Sequence, residues 1–444
     1  TIDPFFIFLP IIVDAPINGL KSGDLFSKTG VGTATIIKSA RNDKNSNANY
    51  SKDVAELNRI VDVINIIDNK FVGKETPNKD ELYKAAVTGV VNRLNDPYSE
   101  YLSQEDLKNF SEDMEGEYVG VGMSIQKKKG EALEVTSPFI GSPAEKVGIK
   151  IGDKITKVDD KDILPLTANE TVKLLKGKEG TKVNVEIVRA GRKEPLKLTM
   201  TRAKIKLETV ESKMLDNGIG YVSLLRFGNH AGAEVQKAIE GLQKQGMKGL
   251  ILDLRLNPGG SLQEAQDISS LFLKQELIVS LKYKDGQEKK YNRTGKYLGD
   301  FPLVVLVNKG SASASEIVTG AIKDYKRGTI IGEKTFGKGI VQQVLPLRTG
   351  DAVKLTIAQY FTPKGNYIHE KGIEPDIKVP MEELLALKGY TNDSEQARKN
   401  REKEVEEILI KEKGKEEAKK IIAAGDVQLK RAIEEMNKKL GVKK

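Results

Sequence analysis

Three serines, one lysine and a Pro-Gly-Gly turn hold the chemistry that this chain can do. Within residues 302–342 a continuous apolar run, Leu303–Val307, reads as a strand buried on both faces. Asn308-Lys309-Gly310 breaks the strand. Ser311-Ala312-Ser313-Ala314-Ser315-Glu316 then reads as a small-residue helix start with a carboxylate in its first turn. A hydroxyl at such a strand-to-helix elbow is held up by the sharp turn, beside the free N–H groups of the helix end. Downstream, Gly337-Lys338-Gly339 sets one lysine between two residues without side-chain bulk. The pairing suggests a serine nucleophile with Lys338 as its base. Local chemistry does not choose among Ser311, Ser313 and Ser315.

A lysine deprotonates a serine only when neutral, so its ordinary pKa of about 10.4 must fall, which burial away from countercharges achieves. The apolar neighbourhood over residues 336–347 is compatible with that. Gln342 lies four residues after Lys338, a spacing that puts both on one side of a helix or a strand, so it can hold the amine without charging it. Gln343 points elsewhere. Glu316 is the awkward neighbour, because a carboxylate favours the ammonium form. It is either a polar orienter, and so an accessory to the site, or simply a helix N-terminal acid. Asn257-Pro258-Gly259-Gly260 comes one residue after the apolar strand Leu250-Ile251-Leu252-Asp253-Leu254-Arg255 and offers unobstructed backbone N–H groups. That suits an oxyanion hole, although an isolated Pro-Gly-Gly also reads as a tight turn.

Composition narrows the alternatives. A chain of 444 residues exceeds one ordinary core, and two to four domains are expected. Its 39% hydrophobic and 30% charged residues describe a globular protein. The net charge of +9 is spread among interleaved Glu and Asp, so nucleic acid is not an expected partner. There is no cysteine and there are two histidines, His230 and His369, which excludes a thiol nucleophile, a disulfide frame and a Cys/His zinc site of the usual spacing. No metal and no cofactor is expected. Both histidines read as structural or surface residues. Residues 4–13 (PFFIFLPIIV) are apolar but too short to span a bilayer and contain two prolines. They read equally well as the remnant of an export or anchor segment, with membrane association through the N-terminus, and as an apolar arm packing on a partner.

The elements around these residues change character along the chain. Residues 1–50 form an arm and linker, the latter rich in Gly, Ser, Asn, Asp and Lys, and 51–115 a helical module with apolar stripes. Residues 116–203 hold short β-like runs and many glycines, with a short helix at Ser142-Pro143-Ala144 and an amphipathic one over 167–176. From 204 to 380 strands and helices alternate, which implies a largely parallel, helix-covered sheet. Residues 381–444 are Lys/Glu-rich with helical spacing, a candidate docking or dimerisation appendage.

Residues 116–203 resemble a PDZ domain: Gly120-Val121-Gly122-Met123 stands where that family has its Gly-Leu-Gly-Phe carboxylate-binding loop, and Gly141-Ser142-Pro143-Ala144 and Ile151-Gly152-Asp153 match the segments around the short helix. In such a loop successive N–H groups converge on a chain-terminal carboxylate while the peptide adds as a strand to the open sheet edge. Together with residues 252–260, Ser311 to Glu316 and Gly337-Lys338-Gly339-Ile340-Val341-Gln342, the chain over about residues 52–380 resembles the carboxy-terminal processing peptidases, or tail-specific proteases. Asp96-Pro97-Tyr98-Ser99 and Gly372-Ile373-Glu374-Pro375-Asp376 match that family too.

The resemblance implies an α/β crotonase-like protease core with an inserted, mainly β PDZ domain and helical N- and C-terminal regions. By carry-over, Ser313 is the nucleophile, Lys338 the general base and Gln342 its orienter. The N–H groups of Gly259 and Ala314 make the oxyanion hole, and Gly120, Val121, Gly122 and Met123 take the peptide C-terminus. The implied activity is serine endopeptidase cleavage of proteins bound by their C-terminal tails, outside the cytoplasm, in the periplasm or cell envelope. A homodimer through the terminal helical regions fits the same reading. Two alternatives stand beside it: a non-catalytic PDZ scaffold on a protease-like core, against which the intact motif set argues, and a crotonase-like acyl-thioester enzyme, for which no adenine-nucleotide site is visible.

Overall fold

The structure, a computed structural model, describes residues 44–73, 77–126, 130–207, 209–382 and 395–442. The apolar stretch at residues 4–13 and most of the expected linker lie outside them. α1 (Lys44–Lys70) begins within the last residues of the expected linker. Among the described residues no helix is long and apolar enough to cross a membrane.

The chain divides into two compact units. One holds α1, α2 (Lys79–Asn92), β1 (Glu100–Leu102) and residues 342–356. Asn78 starts α2 with a reciprocal cap: its Oδ1 accepts the Glu81 N–H at 3.0 Å, and Glu81 Oε2 accepts the Asn78 N–H at 2.9 Å. β1 pairs antiparallel with residues 352–354.

The second unit begins within α3 (Gln104–Glu115). A two-stranded ribbon, β2 (Glu117–Gly120) against the later β9 (Ala203–Lys206), encloses a sheet of β3 (Met123–Gln126), β4 (Leu133–Pro138), β5 (Lys154–Val158), β6 (Lys161–Asp162), β7 (Lys182–Val188) and β8 (Leu196–Thr201). The order β3-β4-β5-β7-β8 leaves β3 at an edge. Alternate residues of β4 and β7 (Leu133, Val135, Val183, Val185, Ile187) build its core. The short α4 (Pro143–Lys146) is capped by Ser142 and α5 (Ala168–Leu175) by Thr167, one residue inside the expected span at each end.

Next comes a six-stranded sheet in the order β10 (Val210–Leu215), β11 (Ile219–Leu224), β12 (Gly249–Asp253), β15 (Leu303–Val307), β16 (Thr329–Gly332) and β19 (Ile377–Lys378). All of its pairings are parallel except β10 with β11. Every residue of β11, β12 and β15 is buried, as their unbroken apolar runs require. α6 (Ala231–Lys244), α7 (Leu262–Phe272) and α8 (Ala314–Asp324) are the crossover helices. The hairpin β13 (Leu277–Tyr283) and β14 (Glu288–Asn292), which the sequence did not signal, pairs through β13 with residues 358–361 of β18 (Ala352–Phe361). β17 (Ile340–Pro346) pairs with β18 as well. Of the C-terminal helices α9 (Glu395–Lys413), α10 (Lys415–Ala424) and α11 (Val427–Lys439), the last is no loose appendage. Its Ala432 and Met436 are buried with Ile219, Tyr221, Ile251, Val304, Leu306 and Ile331, the residues of one sheet face.

Candidate active site

The candidate residues gather where β12 and β15 end. After β15, Asn308 Oδ1 accepts the N–H groups of Leu256 (2.8 Å) and Gly310 (3.1 Å), stitching the two strand exits together. The three serines that the sequence left equivalent are then separated by their partners. Ser311 Oγ donates to Leu254 O at 2.8 Å and accepts from the Asn308 N–H at 3.0 Å. Ser315 Oγ donates to Asn257 O at 2.9 Å. Ser313 Oγ is buried and has no hydrogen-bond partner among the described residues. Ser313 also has φ 61° and ψ −116°, a strained conformation for a residue with a Cβ, at the N-terminus of α8. Two serines hold the turn, and the third is held by it.

Glu316 does much of the holding. Its Oε2 accepts the backbone N–H groups of Ser313 (2.9 Å) and Lys338 (2.8 Å). Its Oε1 accepts Thr335 Oγ1 (2.6 Å) and the Gly337 N–H (2.8 Å). Burial pushes this carboxyl above its usual range, while the same four donors pull it back. The carboxylate thus accepts main-chain N–H groups both at the start of α8 and at Gly337-Lys338. Tyr360 Oη donates to Ser313 O at 3.1 Å, and Thr335 Oγ1 also accepts the Ile373 N–H at 2.7 Å.

Lys338 is completely buried. Gly337 has φ +93°, and a Cβ there would stand 2.8 Å from the Gly372 N, so the chain can pass this point only without a side chain. Gly259 (φ +104°) lies against the serine turn: a Cβ on it would meet Ser313 Cβ at 2.7 Å and Ala314 N at 2.9 Å. The structure thus brings Gly259, Ser313, Ala314 and Glu316 into one cluster, with the Lys338 backbone tied to it. In one respect the site differs from expectation. The Gly259 N–H is not free but donates to Asn257 Oδ1 at 2.9 Å, because the asparagine closes its own Pro-Gly turn. Asn257 Nδ2 is anchored on Leu224 O at 2.8 Å.

Gln342 belongs to the other unit, where it is buried and its Nε2 donates to Thr356 Oγ1 at 3.0 Å; its Oε1 has no partner among the described residues. His230 caps α6 in a left-handed conformation, with its N–H on Glu264 Oε1 at 2.9 Å. His369 Nδ1 accepts the Gly339 N–H at 3.4 Å. Neither histidine makes a hydrogen bond to Ser313.

In the PDZ-like part, Gly120-Val121-Gly122-Met123 joins β2 to β3. Val121 O accepts the Ala144 N–H (2.9 Å) and Gly122 O the Phe139 N–H (3.0 Å). Trans peptides therefore turn the N–H groups of Gly122 and Met123 the opposite way, at the head of the edge strand β3. Sequence reasoning missed Asn257, Asn308, Thr335 and Tyr360. The asparagines could have been suspected from their places directly after buried strands, whereas nothing marks Thr335 or Tyr360.

The chain is similar to known proteins along most of its length. Residues 218–379 match the model of peptidase family S41, residues 134–189 that of a PDZ domain, and residues 22–106 that of the activating protease CtpB N-terminal domain. A "Probable CtpA-like serine protease" of Staphylococcus aureus (strain MRSA252) is 40% identical over 354 residues, which cover 79% of this chain and 70% of the relative. One of Staphylococcus haemolyticus (strain JCSC1435) is 38% identical over 358 residues, 80% and 71% of the two chains. Among solved structures, the photosystem II D1 C-terminal processing protease shares 30% identity over 72% of this chain and 92% of its own, with a TM-score of 0.44. The chain belongs to peptidase family S41. It is a PDZ-containing serine peptidase of the carboxy-terminal processing type, and the resemblance read from its motifs is borne out.

Proposed function

We propose that Ser313 is the nucleophile and Lys338 the general base of an endopeptidase that selects substrates by their C-terminal tails. One observation carries the reading. Of the three serines, Ser313 alone has a hydroxyl not spent on the backbone, and it stands at a strained turn tied through Glu316 to Lys338. Neutral Lys338 takes the Ser313 proton as Oγ attacks the scissile carbonyl. The oxyanion forms against the Ala314 and Gly259 N–H groups, the latter shared with or released by Asn257 Oδ1. Each such donor contributes about 3 kcal/mol to the transition state. The Lys338 ammonium then protonates the leaving amine, and water, deprotonated by the same lysine, releases the acyl group. The proposal that Gln342 orients the Lys338 amine rests on their spacing in sequence.

Tail selection fits the Gly120-to-Met123 loop, with its N–H groups at the head of an edge strand that can accept a peptide as a further strand. We further propose the domain limits 1–50, 51–115, 116–203, 204–380 and 381–444, and work outside the cytoplasm. Pairing of two copies would draw on the exposed apolar residues of α1 and α2, among them Leu57, Ile66 and Val90. The deciding experiment incubates wild type, Ser313→Ala and Lys338→Ala with an unfolded protein ending in an apolar tail, free or amidated. Cleavage that needs the free carboxylate and is lost in both variants supports the proposal. Undiminished cleavage by Lys338→Ala would sink the dyad, and equal cleavage of the amidated tail would sink the tail reading.

A further inference from the structure

We infer that Asp426, at the head of the C-terminal helix α11, is a positioning residue for the oxyanion turn and acts through Arg255; the inference rests on the Ser313 reading above. Arg255 is the last residue before the turn. Leu256 comes next in a left-handed conformation (φ 56°), and then Asn257, Pro258 and Gly259. The Arg255 side chain is 1% exposed, so its charge must be met inside the protein.

Two carboxylates meet it on two edges of the guanidinium that share Nη2. Asp253 takes the inner edge, with Oδ1 accepting the Arg255 N–H and Nε at 3.0 Å each and Oδ2 accepting Nη2 at 2.7 Å. Asp426 takes the outer edge as a bidentate pair, Nη1 to Oδ1 at 2.7 Å and Nη2 to Oδ2 at 2.8 Å. Gln428 adds an acceptor to Nη1 at 3.3 Å and donates to Val379 O at 2.7 Å. Tyr221 Oη donates to Asp253 Oδ2 at 2.7 Å.

A helix cap does not need this arrangement. Asp426 Oδ1 does cap α11, accepting the Leu429 N–H at 2.8 Å, but a serine would do that equally well. Apolar burial of Ala432 and Met436 docks the helix on the sheet without any charge. What only a carboxylate at position 426 supplies is the second grip on the guanidinium. With both grips made, Arg255 cannot swing, and the strained Leu256 and the Asn257-closed turn start from a fixed point. Gly259 lies four residues on, against Ser313, where a displacement of an ångström is enough to misplace an oxyanion donor. The end of the chain is thus part of the support of the catalytic centre.

The test compares wild type with Asp426→Ser, which keeps the cap and loses the grip, Asp426→Glu, which keeps a carboxylate, and Leu429→Ala, which loosens apolar docking but leaves Asp426 in place. Steady-state cleavage of a tailed protein, fluorescence binding of a tail peptide and thermal melting are measured on the full chain. Asp426→Ser is expected to lower kcat of the folded enzyme about tenfold with KM and tail affinity close to wild type. Asp426→Glu is expected to restore most of it, and Leu429→Ala to lower Tm while keeping kcat. Wild-type kcat in Asp426→Ser, or a kcat loss in Leu429→Ala equal to that in Asp426→Ser, overturns the inference. Ser313→Ala and Lys338→Ala run alongside report separately on the dyad.

Discussion

Glu316 and Ser313 exchange hydrogen bonds across the first turn of α8. Glu316 Oε2 accepts the Ser313 N–H at 2.9 Å, and Ser313 O accepts the Glu316 N–H at 2.8 Å. Because the same oxygen also accepts the Lys338 N–H, one buried carboxylate sets the backbone positions of both members of the proposed dyad. This is an arrangement of the main chain. The carboxylate reaches Lys338 at its backbone N–H, from 22 residues away in the chain.

Glu316→Gln turns a donor toward N–H groups that need acceptors. It is expected to lower kcat about a hundredfold, equivalent to about 2.7 kcal/mol, with KM and tail-peptide affinity within about twofold of wild type. Steady-state kinetics beside fluorescence titration of a tail peptide check this. A variant that weakens tail binding and leaves kcat alone would contradict the positioning role.

The raised pKa of Glu316, caused by its burial, has a consequence for stability. A carboxyl whose folded-state pKa lies above the unfolded value, about 4.3, binds its proton more tightly when folded. That contribution is complete below the unfolded pKa and is lost as pH rises through the folded one. The melting temperature of wild type minus that of Glu316→Gln is therefore expected to fall as pH is raised from about 4 to about 8. A difference that stays constant or rises is the opposing result.

The three serines are expected to respond differently to alanine. Ser311→Ala takes one of two donors from Leu254 O, which keeps the Asn257 N–H, and strips the buried Asn308 N–H of its acceptor; it is expected to cost about 1–3 kcal/mol of stability while the folded fraction still cleaves. Ser315→Ala loses one bond, to Asn257 O, and is expected to be milder. Ser313→Ala removes an unpartnered buried hydroxyl, so activity should vanish with no fall in Tm. Denaturant melts and cleavage assays on the three variants decide it. Retained cleavage in Ser313→Ala would end the proposal.

Gly259→Ala forces a Cβ to within 2.7 Å of Ser313 Cβ at φ +104°. The expected result is a loss of kcat of at least about a hundredfold and about 1–3 kcal/mol of stability from backbone strain. Single-turnover acylation reads the first and thermal melting the second. Activity above about a tenth of wild type would mean that this turn has no part in the oxyanion hole.

The sequence by itself determined the features that local patterns encode. Continuous apolar runs at Leu303–Val307 and around Leu250 to Leu254 read as buried strands, and small-residue or capped starts read as helices. The motif set also identified the family and the PDZ insert. These signals are short-range, since periodicity and capping depend on residues a few positions apart.

Tertiary structure decided the rest. Ser311 and Ser315 are spent on carbonyls 57 and 58 residues away, a distance over which no local pattern carries information, so only the fold separates them from Ser313. The Tyr360 hydroxyl on Ser313 O and the reach of Asp426 to Arg255 across 171 residues have the same origin. A side chain's chemistry is written in the sequence, but whether that chemistry is free for a substrate or used up on the protein itself depends on which backbone groups the fold delivers beside it.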